Sequence, residues 1–191
     1  MNGYDVTAKV VEALEAAGIS YMLVGSLASN VFGIPRSTKD TDMVVSARTG
    51  EVAKALSVLG PEFKLDPQLS FESVTGTKRQ IIDVESIPYR IEVFHLSDDP
   101  HDQERFRRRR RVQDPLLNRE VDVATPEDTI ITKLRWAAIA DRLKDRDDIR
   151  TVIGVRGETL DWDYINQWSD KHGTREILDS IQKTIPPRQR R

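Results

Sequence analysis

The chain has 191 residues, which is the size of one domain or of one domain with a small additional lobe. Its 29 Lys and Arg residues nearly balance its 31 Asp and Glu residues, so the formal net charge is only -2. This balance excludes a uniformly basic protein of the histone or ribosomal type. Because 38% of the residues are hydrophobic, the chain can bury a core, and wholesale disorder is excluded as well.

Cysteine is absent, and the three histidines are scattered along the chain. Disulfides and thiolate metal sites are therefore excluded, and any metal would be a hard cation held by carboxylates, namely Mg²⁺ or Mn²⁺. No apolar run approaches the roughly 20 residues that a membrane-spanning helix requires, and the first residues lack the apolar segment of a secretory signal. We therefore expect a cytoplasmic protein with no membrane partner.

The first third of the sequence alternates between helical and strand patterns. Apolar residues before Gly18 recur at helical spacing, and the glycine supplies the helix stop. The apolar run at 19–26 predicts a buried strand, and a short helix follows it up to Gly33. The segment DTDMVVS at 40–46 predicts a second strand, and an amphipathic helix is expected over 49–59.

A β-rich section follows, in which Gly76 and Pro88 separate the strand patterns. Successive antiparallel strands are predicted at 69–76, 78–86 and 87–96. The charged stretch after Pro100 carries no strand pattern, and VDVAT provides one more short strand.

A strong helix start marks the last third of the chain. Thr125 is a capping residue, and Pro126 suits the first helical position. The helical pattern continues to about residue 184, with three interruptions. We therefore predict an α/β fold whose mixed, partly antiparallel sheet is flanked by helices over 1–124, followed by a small C-terminal helical lobe over 125–191.

Two acids stand at the start of the second predicted strand. Asp40 and Asp42 are two residues apart, so on a strand both side chains project from the same face. Two carboxylates about 4 Å apart repel by about 4 kcal/mol at an effective dielectric of 20. Such a pair is tolerated with a shared proton or a bound cation, whereas the alternative is a solvated turn whose acids cap the next element.

A third acid would complete a site for phosphoryl transfer. Glu92, in the alternating strand RIEVF, converges with the two aspartates if its strand lies beside theirs. Three such carboxylates would form a two-metal site. Asp83, on the preceding strand, is an alternative third acid, because both residues lie within apolar runs. Glu92 could also serve only as the salt-bridge partner of a neighbour such as Arg90.

The dipeptide Gly25-Ser26 precedes Asp40 by thirteen intervening residues. It stands between a predicted strand and a predicted helix, where free backbone N–H groups and the helix dipole favour phosphate. Glycine permits close approach of the chain, and the serine hydroxyl adds a donor.

Together these elements resemble a known signature. The segment LVGSLASNVFGIPRSTKDTDMVV is similar to the signature of the nucleotidyltransferase superfamily related to DNA polymerase beta. The RSTK segment before the acids, TPEDTIITKL at 125–134 and KDRDDI at 144–149 resemble the minimal bacterial group that includes abortive-infection-type nucleotidyltransferase toxins. The resemblance runs from about Tyr4 to Ile181, and it implies a nucleotidyltransferase-type sheet with the catalytic domain in 1–124.

The resemblance implies roles for individual residues in the first part of the chain. Gly25 and Ser26 would hold the β- and γ-phosphates of the nucleotide. Asp40 and Asp42 would bind the metals, with Glu92 as the third catalytic and metal-binding carboxylate. Glu92 is preferred to Asp83 because RIEVFHL precedes a loop, as the acid strand of the family does. The sequence departs from the family at two positions. Glu92 stands where an aspartate is more common, and Thr41 stands where an aliphatic residue is common.

Further nucleotide-binding residues follow from the resemblance. Arg36 and Thr38 belong to the segment before the acids, and Lys133 resembles the nucleotide-contacting lysine of the family. Asp145 and Asp148 match the acids of the following helix. From the sequence alone, Lys133 could also be a surface lysine, and KDRDDI could be held by pairing within its own helix.

The implied activity is Mg²⁺-dependent transfer of a nucleoside monophosphate from an NTP such as ATP to an acceptor hydroxyl, with release of pyrophosphate. The acceptor could be tRNA or another RNA, a protein hydroxyl, or a small molecule such as an aminoglycoside. The alternatives are a non-catalytic nucleotide- or RNA-binding module, or an antitoxin-like partner of a toxin, on the same fold. A cognate toxin or antitoxin partner is part of this expectation.

Six arginines fall within seven residues after the β-rich section. A nucleic-acid-binding surface is one interpretation, because each phosphate contact would release counterions, and it favours an RNA acceptor. The alternative is a solvated face paired with nearby acids. The residues concerned are Arg105, Arg107, Arg108, Arg109, Arg110 and Arg111.

Overall fold

The computed structural model describes residues 1–66, 68–72 and 76–186. The chain divides into two compact units, the first formed by 1–27 with 37–124 and the second by 28–36 with the chain from 125 onward. In chain order the elements are α1 (Gly3–Ala16), β1 (Tyr21–Val24), α2 (Gly25–Phe32), β2 (Asp40–Val45), α3 (Thr49–Leu56), β3 (Phe63–Leu65), β4 (Ser70–Phe71), β5 (Lys78–Val84), β6 (Arg90–His95), α4 (Pro100–Arg108), β7 (Arg110–Asp114), β8 (Arg119–Val123), α5 (Pro126–Ala140), α6 (Leu143–Arg156), α7 (Trp162–Lys171) and α8 (Arg175–Gln182).

The first unit is built on one mixed sheet. Its strands follow the order β3-β5-β6-β2-β1-β8-β7, and β4 pairs with β5 outside this path. The pairs β2–β6 and β1–β8 are parallel, and the other pairs are antiparallel. The predicted α/β class with a mixed, partly antiparallel sheet is therefore confirmed.

The centre of the sheet is the apolar run that the sequence marks as a buried strand. All four residues of β1 are buried, as expected for a strand covered on both faces. Helix α1 adds a fully buried apolar face, in which Val6, Val10 and Leu14 recur at helical spacing. This core supports β2, the strand that carries the paired aspartates.

The charged stretch after the β-rich section contains two elements that the sequence pattern did not predict. Asp99 caps α4 by accepting from the N–H groups of His101 and Asp102, and the arginine-rich end of that helix leads into β7. Strand β7 lies at the end of the sheet path, where charged side chains are tolerated and hide the strand pattern. Strand β3 was also not predicted, and it too lies at an end of the path. Of the strand predicted at 69–76, the structure describes β4 only, and residues 73–75 lie outside the described residues.

From Thr125 onward the second unit forms helices, as the pattern predicted, and the unit also includes 28–36, which the sequence analysis assigned to the first domain. The Thr125 side chain accepts from the N–H of Asp128, and Pro126 occupies the first helical position of α5. Helix α5 ends at Ala140 and is capped by Asp141, which takes the left-handed conformation with φ of 43°. Across the described parts of both units, no helix has the length and apolar character needed to cross a membrane.

Candidate functional site

Three carboxylates share one face of the sheet in the first unit. Strand β2 pairs with β6 in parallel, and Asp42 lies in register with Glu92. Residues in register project from the same face, and Asp40 shares that face because it stands two residues before Asp42. The strand adjacency on which the sequence made this convergence conditional is therefore present, and the three acids lie on one face of neighbouring strands.

The alternative third acid, Asp83, lies farther from the aspartates. It belongs to β5, where it is in register with Arg90, and its carboxylate is paired with that guanidinium at 2.8 Å. Since β6 separates β5 from β2 and neighbouring strands are about 4.8 Å apart, Asp83 stands roughly 10 Å from β2. The sheet order favours Glu92.

Steric contact with Asp42 explains why a glycine stands at position 25. Gly25 has φ of +60°, and a Cβ at this position would overlap the carboxylate of Asp42, lying 2.9 Å from its Cγ. The register accounts for this closeness, because Val24, the preceding residue, pairs with Asp42 across β1 and β2. The first residues of α2, Gly25 and the buried Ser26, thus stand beside one of the paired acids.

The acids and the strand that carries them are held by hydroxyl groups. Thr38 donates to Oδ1 of Asp40 at 2.6 Å. On the opposite face of β2, the fully buried Thr41 hydroxyl lies 2.7 Å from the Thr7 hydroxyl and 2.8 Å from the hydroxyl of Tyr89. Burial raises the pKa of Tyr89, so this phenol stays protonated over the ordinary pH range. The threonine that departs from the family pattern therefore has a bonded partner on each side.

Arg79 is a residue of this site that the sequence reasoning missed. Its guanidinium binds Oε2 of Glu92 at 2.6 Å, and its Nε donates to the Ser70 hydroxyl at 3.1 Å. Alternation along β5 could have indicated it, because Arg79 stands two residues before Ile81, which is in register with Glu92.

The residues fit a hard cation as a two-carboxylate site that requires further ligands. Within the described ranges, no group of three or more histidine and acidic side chains is arranged to hold a metal ion. The predicted three-carboxylate cluster is therefore not preassembled, and Glu92 is instead paired with Arg79. Mg²⁺ is commonly bound by one or two carboxylates together with substrate phosphates, and Asp40 and Asp42 beside the start of α2 offer that donor set.

The second unit contains a buried ionic network. Lys133 Nζ lies 2.8 Å from carboxylate oxygens of both Asp145 and Asp148. Arg36 donates to Asp148 with two nitrogens, at 2.8 and 2.9 Å, and Arg142 donates to Asp145 at 2.8 Å. With the lysine side chain 8% exposed and the two acids 0% and 5% exposed, the network combines two acids with three cations.

The structure bears on two alternatives that the sequence left open, and one of them holds in part, because Arg150 pairs with Asp147 within α6 and Arg142 pairs with Asp145 three residues away. Lys133 is buried, so it is not a surface lysine, and Asp148 is held by residues distant in the chain and not by pairing within α6. Burial raises the pKa of Asp148, but the bonds and charges of Arg36 and Lys133 outweigh it, and the pKa lies below its usual value. Arg142 also belongs to this ionic network, although the sequence analysis did not include it among the site residues.

The arginine-rich segment is extensively paired with carboxylates of the first unit. Arg111 reaches Glu15 at 2.8 Å and Asp122 at 3.5 Å, and Arg109 reaches Asp122 at 3.3 Å. Within α4, Arg105 pairs with Asp102 at 2.9 Å and Arg107 with Glu104. These contacts favour the ion-paired face, and a nucleic-acid contact by the segment stays a prediction.

Known structures with a similar fold were found for nearly the full length of the chain. The antibiotic-resistance factor ANT(2'')-Ia matches with a TM-score of 0.64 at 14% identity, covering 96% of this chain and 98% of that one. A nucleotidyltransferase-like protein from Paracoccidioides brasiliensis matches with a TM-score of 0.58 at 17% identity, covering 94% and 91%. The lincosamide antibiotic adenylyltransferase LnuA matches with a TM-score of 0.51 at 13% identity, covering 81% and 98%.

These similarities concern the fold. The chain has the nucleotidyltransferase fold, which confirms the fold expected from the Gly-Ser and Asp-x-Asp signature. No protein-family model matches the chain, and no curated protein matches it in sequence. The toxin-like subgroup stays a prediction.

Proposed function

We propose that this chain, which has the nucleotidyltransferase fold, transfers a nucleoside monophosphate from an NTP to an acceptor hydroxyl. The observation that carries the proposal is the register of Asp42 with Glu92, which brings a third carboxylate to the face of the sheet that bears Asp40 and Asp42. Gly25 lies in close contact with Asp42, so the start of α2 is next to the same acids. One small region thus combines acids for a cation with backbone groups for phosphate.

Gly25 and Ser26 would bind the β- and γ-phosphates through the backbone N–H groups at the start of α2 and the serine hydroxyl. Phosphate beside the Asp42 carboxylate would be repelled without a cation between them. Asp40 and Asp42 would hold Mg²⁺, or Mn²⁺, together with phosphate oxygens. When bound, this ion would neutralise the charge of the triphosphate and orient it. Thr38 would keep the Asp40 carboxylate in its orientation through the bond to Oδ1.

Glu92 would accept the proton of the acceptor hydroxyl. The hydroxyl oxygen forms a bond to the α-phosphorus, the bond from that phosphorus to the bridging oxygen breaks, and pyrophosphate leaves with the electron pair. Arg79 would orient Glu92 through their ion pair. Since there is little covalent chemistry for the protein to perform, positioning and charge neutralisation provide most of the rate.

In the second unit, Arg36 is the proposed nucleotide-contacting residue. Its side chain is 37% exposed, whereas Asp148, which holds it by two bonds, is buried. Lys133, Asp145 and Asp148 would act by fixing this guanidinium in one orientation. The direct nucleotide contact expected of Lys133 would require the lysine to leave two acids.

The test is transfer of label from NTPs labelled at the α-phosphate. Wild-type protein with Mg²⁺ is expected to label an acceptor from an RNA, protein or small-molecule preparation, and Asp42→Asn is expected to abolish the transfer while the fold is retained. Asp163→Asn, on an exposed position at the start of α7, is the matched control and should retain the activity. Full activity of Asp42→Asn would overturn the assignment of Asp42.

A non-catalytic nucleotide-binding module is the second candidate, favoured by the engagement of Glu92 by Arg79. Equal NTP affinity with and without Mg²⁺, and no transfer to any preparation, would support it. A toxin or antitoxin partner stays a prediction.

A further inference from the structure

Arg79 on β5 stands on the same face of the sheet as the three carboxylates. Ile81, two residues further along β5, is in register with Glu92, which is in register with Asp42. Arg79 is therefore a diagonal neighbour of Glu92, at a separation that a long side chain can bridge. Its guanidinium binds Oε2 of Glu92 at 2.6 Å. The pair thus places a positive charge beside the acid that a two-metal site would need as a ligand.

The guanidinium of Arg79 is held from a second side as well. Its Nε donates to the Ser70 hydroxyl on β4 at 3.1 Å, while its Nη1 makes the bond to Glu92. The side chains of Arg79 and Glu92 are only 25% and 19% exposed, so salt screens this ion pair less than a pair on the open surface. A guanidinium stays protonated in proteins. Arg79 is therefore a resident cation whose charge does not depend on the concentration of any metal.

A second arginine repeats this arrangement on the same face. Arg90 on β6 is in register with Asp83 on one side and with Asp40 on the other. Its Nε donates to Oδ1 of Asp83 at 2.8 Å. The bond and the charge of Asp83, together with the charge of Glu92, raise the pKa of Arg90. The acid of β5 and the acid of β6 thus each have an arginine partner, and the chain balances both charges itself.

The acids of β2 match the charge of one divalent cation. Asp40 and Asp42 together carry two formal negative charges, which is the amount that one such ion neutralises. A second ion shared by Asp42 and Glu92 would either displace the guanidinium of Arg79 or lie beside its like charge. In the ranges that the structure describes, no three acidic or histidine side chains are grouped to hold a metal ion. The residues therefore fit one cation and do not fit two.

We propose that Arg79 is the permanent counter-ion of Glu92, that it takes the place of a second metal ion, and that the chain binds one divalent cation with each nucleotide. The inference rests on the proposed function, because it specifies the cation content of the same site. Glu92, bound to a guanidinium and not to a metal, keeps a lone pair for the proton of the acceptor hydroxyl as the hydroxyl oxygen bonds to the α-phosphorus and pyrophosphate leaves. Arg79 is a positioning residue, since it acts through Glu92.

Counting bound Mn²⁺ by equilibrium dialysis tests this inference without a measurement of activity. The wild-type chain is dialysed with Mn²⁺ and an NTP analogue that has a methylene group between the α- and β-phosphorus, so that no transfer occurs. We expect one Mn²⁺ for each bound nucleotide. Two Mn²⁺ for each nucleotide would overturn the inference and leave the proposed function standing. Equal binding of the nucleotide with and without Mn²⁺ would overturn the proposed function itself.

Removal of the guanidinium should allow a second ion to bind. Arg79→Ala is expected to bind two Mn²⁺ for each nucleotide, and ions about 3.5–4 Å apart, as in two-metal sites, should broaden the electron paramagnetic resonance signal through spin coupling. Arg79→Lys keeps a positive charge and should bind one Mn²⁺. Lys54→Ala, which removes a cation from the exposed face of α3, is the matched control and should also bind one.

The double variant Arg79→Ala/Glu92→Gln identifies the ligand of the second ion. It should return to one Mn²⁺ for each nucleotide, because the carboxylate that binds the second ion is then absent. A second ion that persists in the double variant, or one Mn²⁺ only in folded Arg79→Ala, would overturn the inference. A thermal melt verifies that each variant is folded, and Arg79→Gln provides a second neutral replacement if Arg79→Ala is unfolded.

Discussion

The carboxylate of Asp42 occupies the space that a Cβ on Gly25 would fill. We therefore expect Gly25→Ala to abolish nucleotidyl transfer, because the methyl group would push the Asp42 carboxylate away. It should also lower the free energy of unfolding by about 1–3 kcal/mol, since φ of +60° is strained for alanine. Transfer of α-labelled NTP and denaturant unfolding measure the two effects.

Gly18→Ala is the control that separates backbone strain from the steric clash with Asp42. Gly18 has nearly the same backbone conformation, with φ of +68°, but a Cβ there meets nothing within 4 Å. The control should therefore lose stability through backbone strain alone and keep its activity. Equal activity of the two variants would contradict a role for the contact between Gly25 and Asp42.

The ion pair between Arg79 and Glu92 leads to a prediction about kcat. Arg79→Ala is expected to lower kcat about 10- to 100-fold, because the carboxylate that accepts the proton loses its orientation. Arg79→Lys should recover part of the loss, since it keeps the charge but not the planar fork of donors. Steady-state kinetics measure both, with Lys54→Ala on the exposed face of α3 as the control for loss of a cation. Wild-type kcat in Arg79→Ala would remove Arg79 from the site.

The hydrogen bonds that link the hydroxyl groups of Thr7, Thr41 and Tyr89 predict that Thr41 and Tyr89 contribute to stability in a coupled way. Thr41→Val and Tyr89→Phe should each lower the free energy of unfolding by about 1 kcal/mol, because each leaves a buried partner without its hydrogen bond. In the double variant the losses should not add, and the coupling energy between the two positions is expected to be about 0.5–1 kcal/mol. A double-mutant cycle in urea measures it, and strict additivity would show that the hydroxyls act independently.

The lowered pKa of Asp148 predicts that the stability of the folded protein depends on pH. Its pKa in the folded protein lies below the usual value of about 3.9, so its contribution is present above that pH and is lost as the pH falls through the folded-state pKa. Asp148→Asn should therefore be destabilised at neutral pH, by about 3 kcal/mol because it leaves Lys133 and Arg36 without this acid.

The difference between wild-type protein and Asp148→Asn should begin to narrow as the pH falls below about 4, where the carboxylate is protonated in the unfolded state, and it should continue to narrow until the folded-state carboxylate is protonated as well. Thermal melts between pH 7 and the acid limit of the folded state measure this convergence. Asp147→Asn, an exposed acid on the same helix, should show no such narrowing. A constant difference at all pH values would contradict the depressed pKa of Asp148.

The sequence by itself determined the features that depend on local geometry. The spacing of Asp40 and Asp42 assigns both to one face of a strand, since strand side chains alternate with a period of two. The start of α5 follows from Thr125 and Pro126, whose capping and fixed φ act within one turn. The position of Gly25-Ser26 between a strand and a helix was equally readable from the pattern.

Only the tertiary structure decided which distant segments meet. Sequence alternation could not choose between Glu92 and Asp83, because the choice depends on which strand lies beside β2. The partners of the charged residues were hidden for the same reason: Arg79 lies 13 residues from Glu92, and Arg36 lies 112 residues from Asp148. Charge patterns along a chain describe neighbours in sequence, whereas ion pairs form between neighbours in space. The near-zero net charge is fixed by the composition, whereas folding decides which of those charges meet.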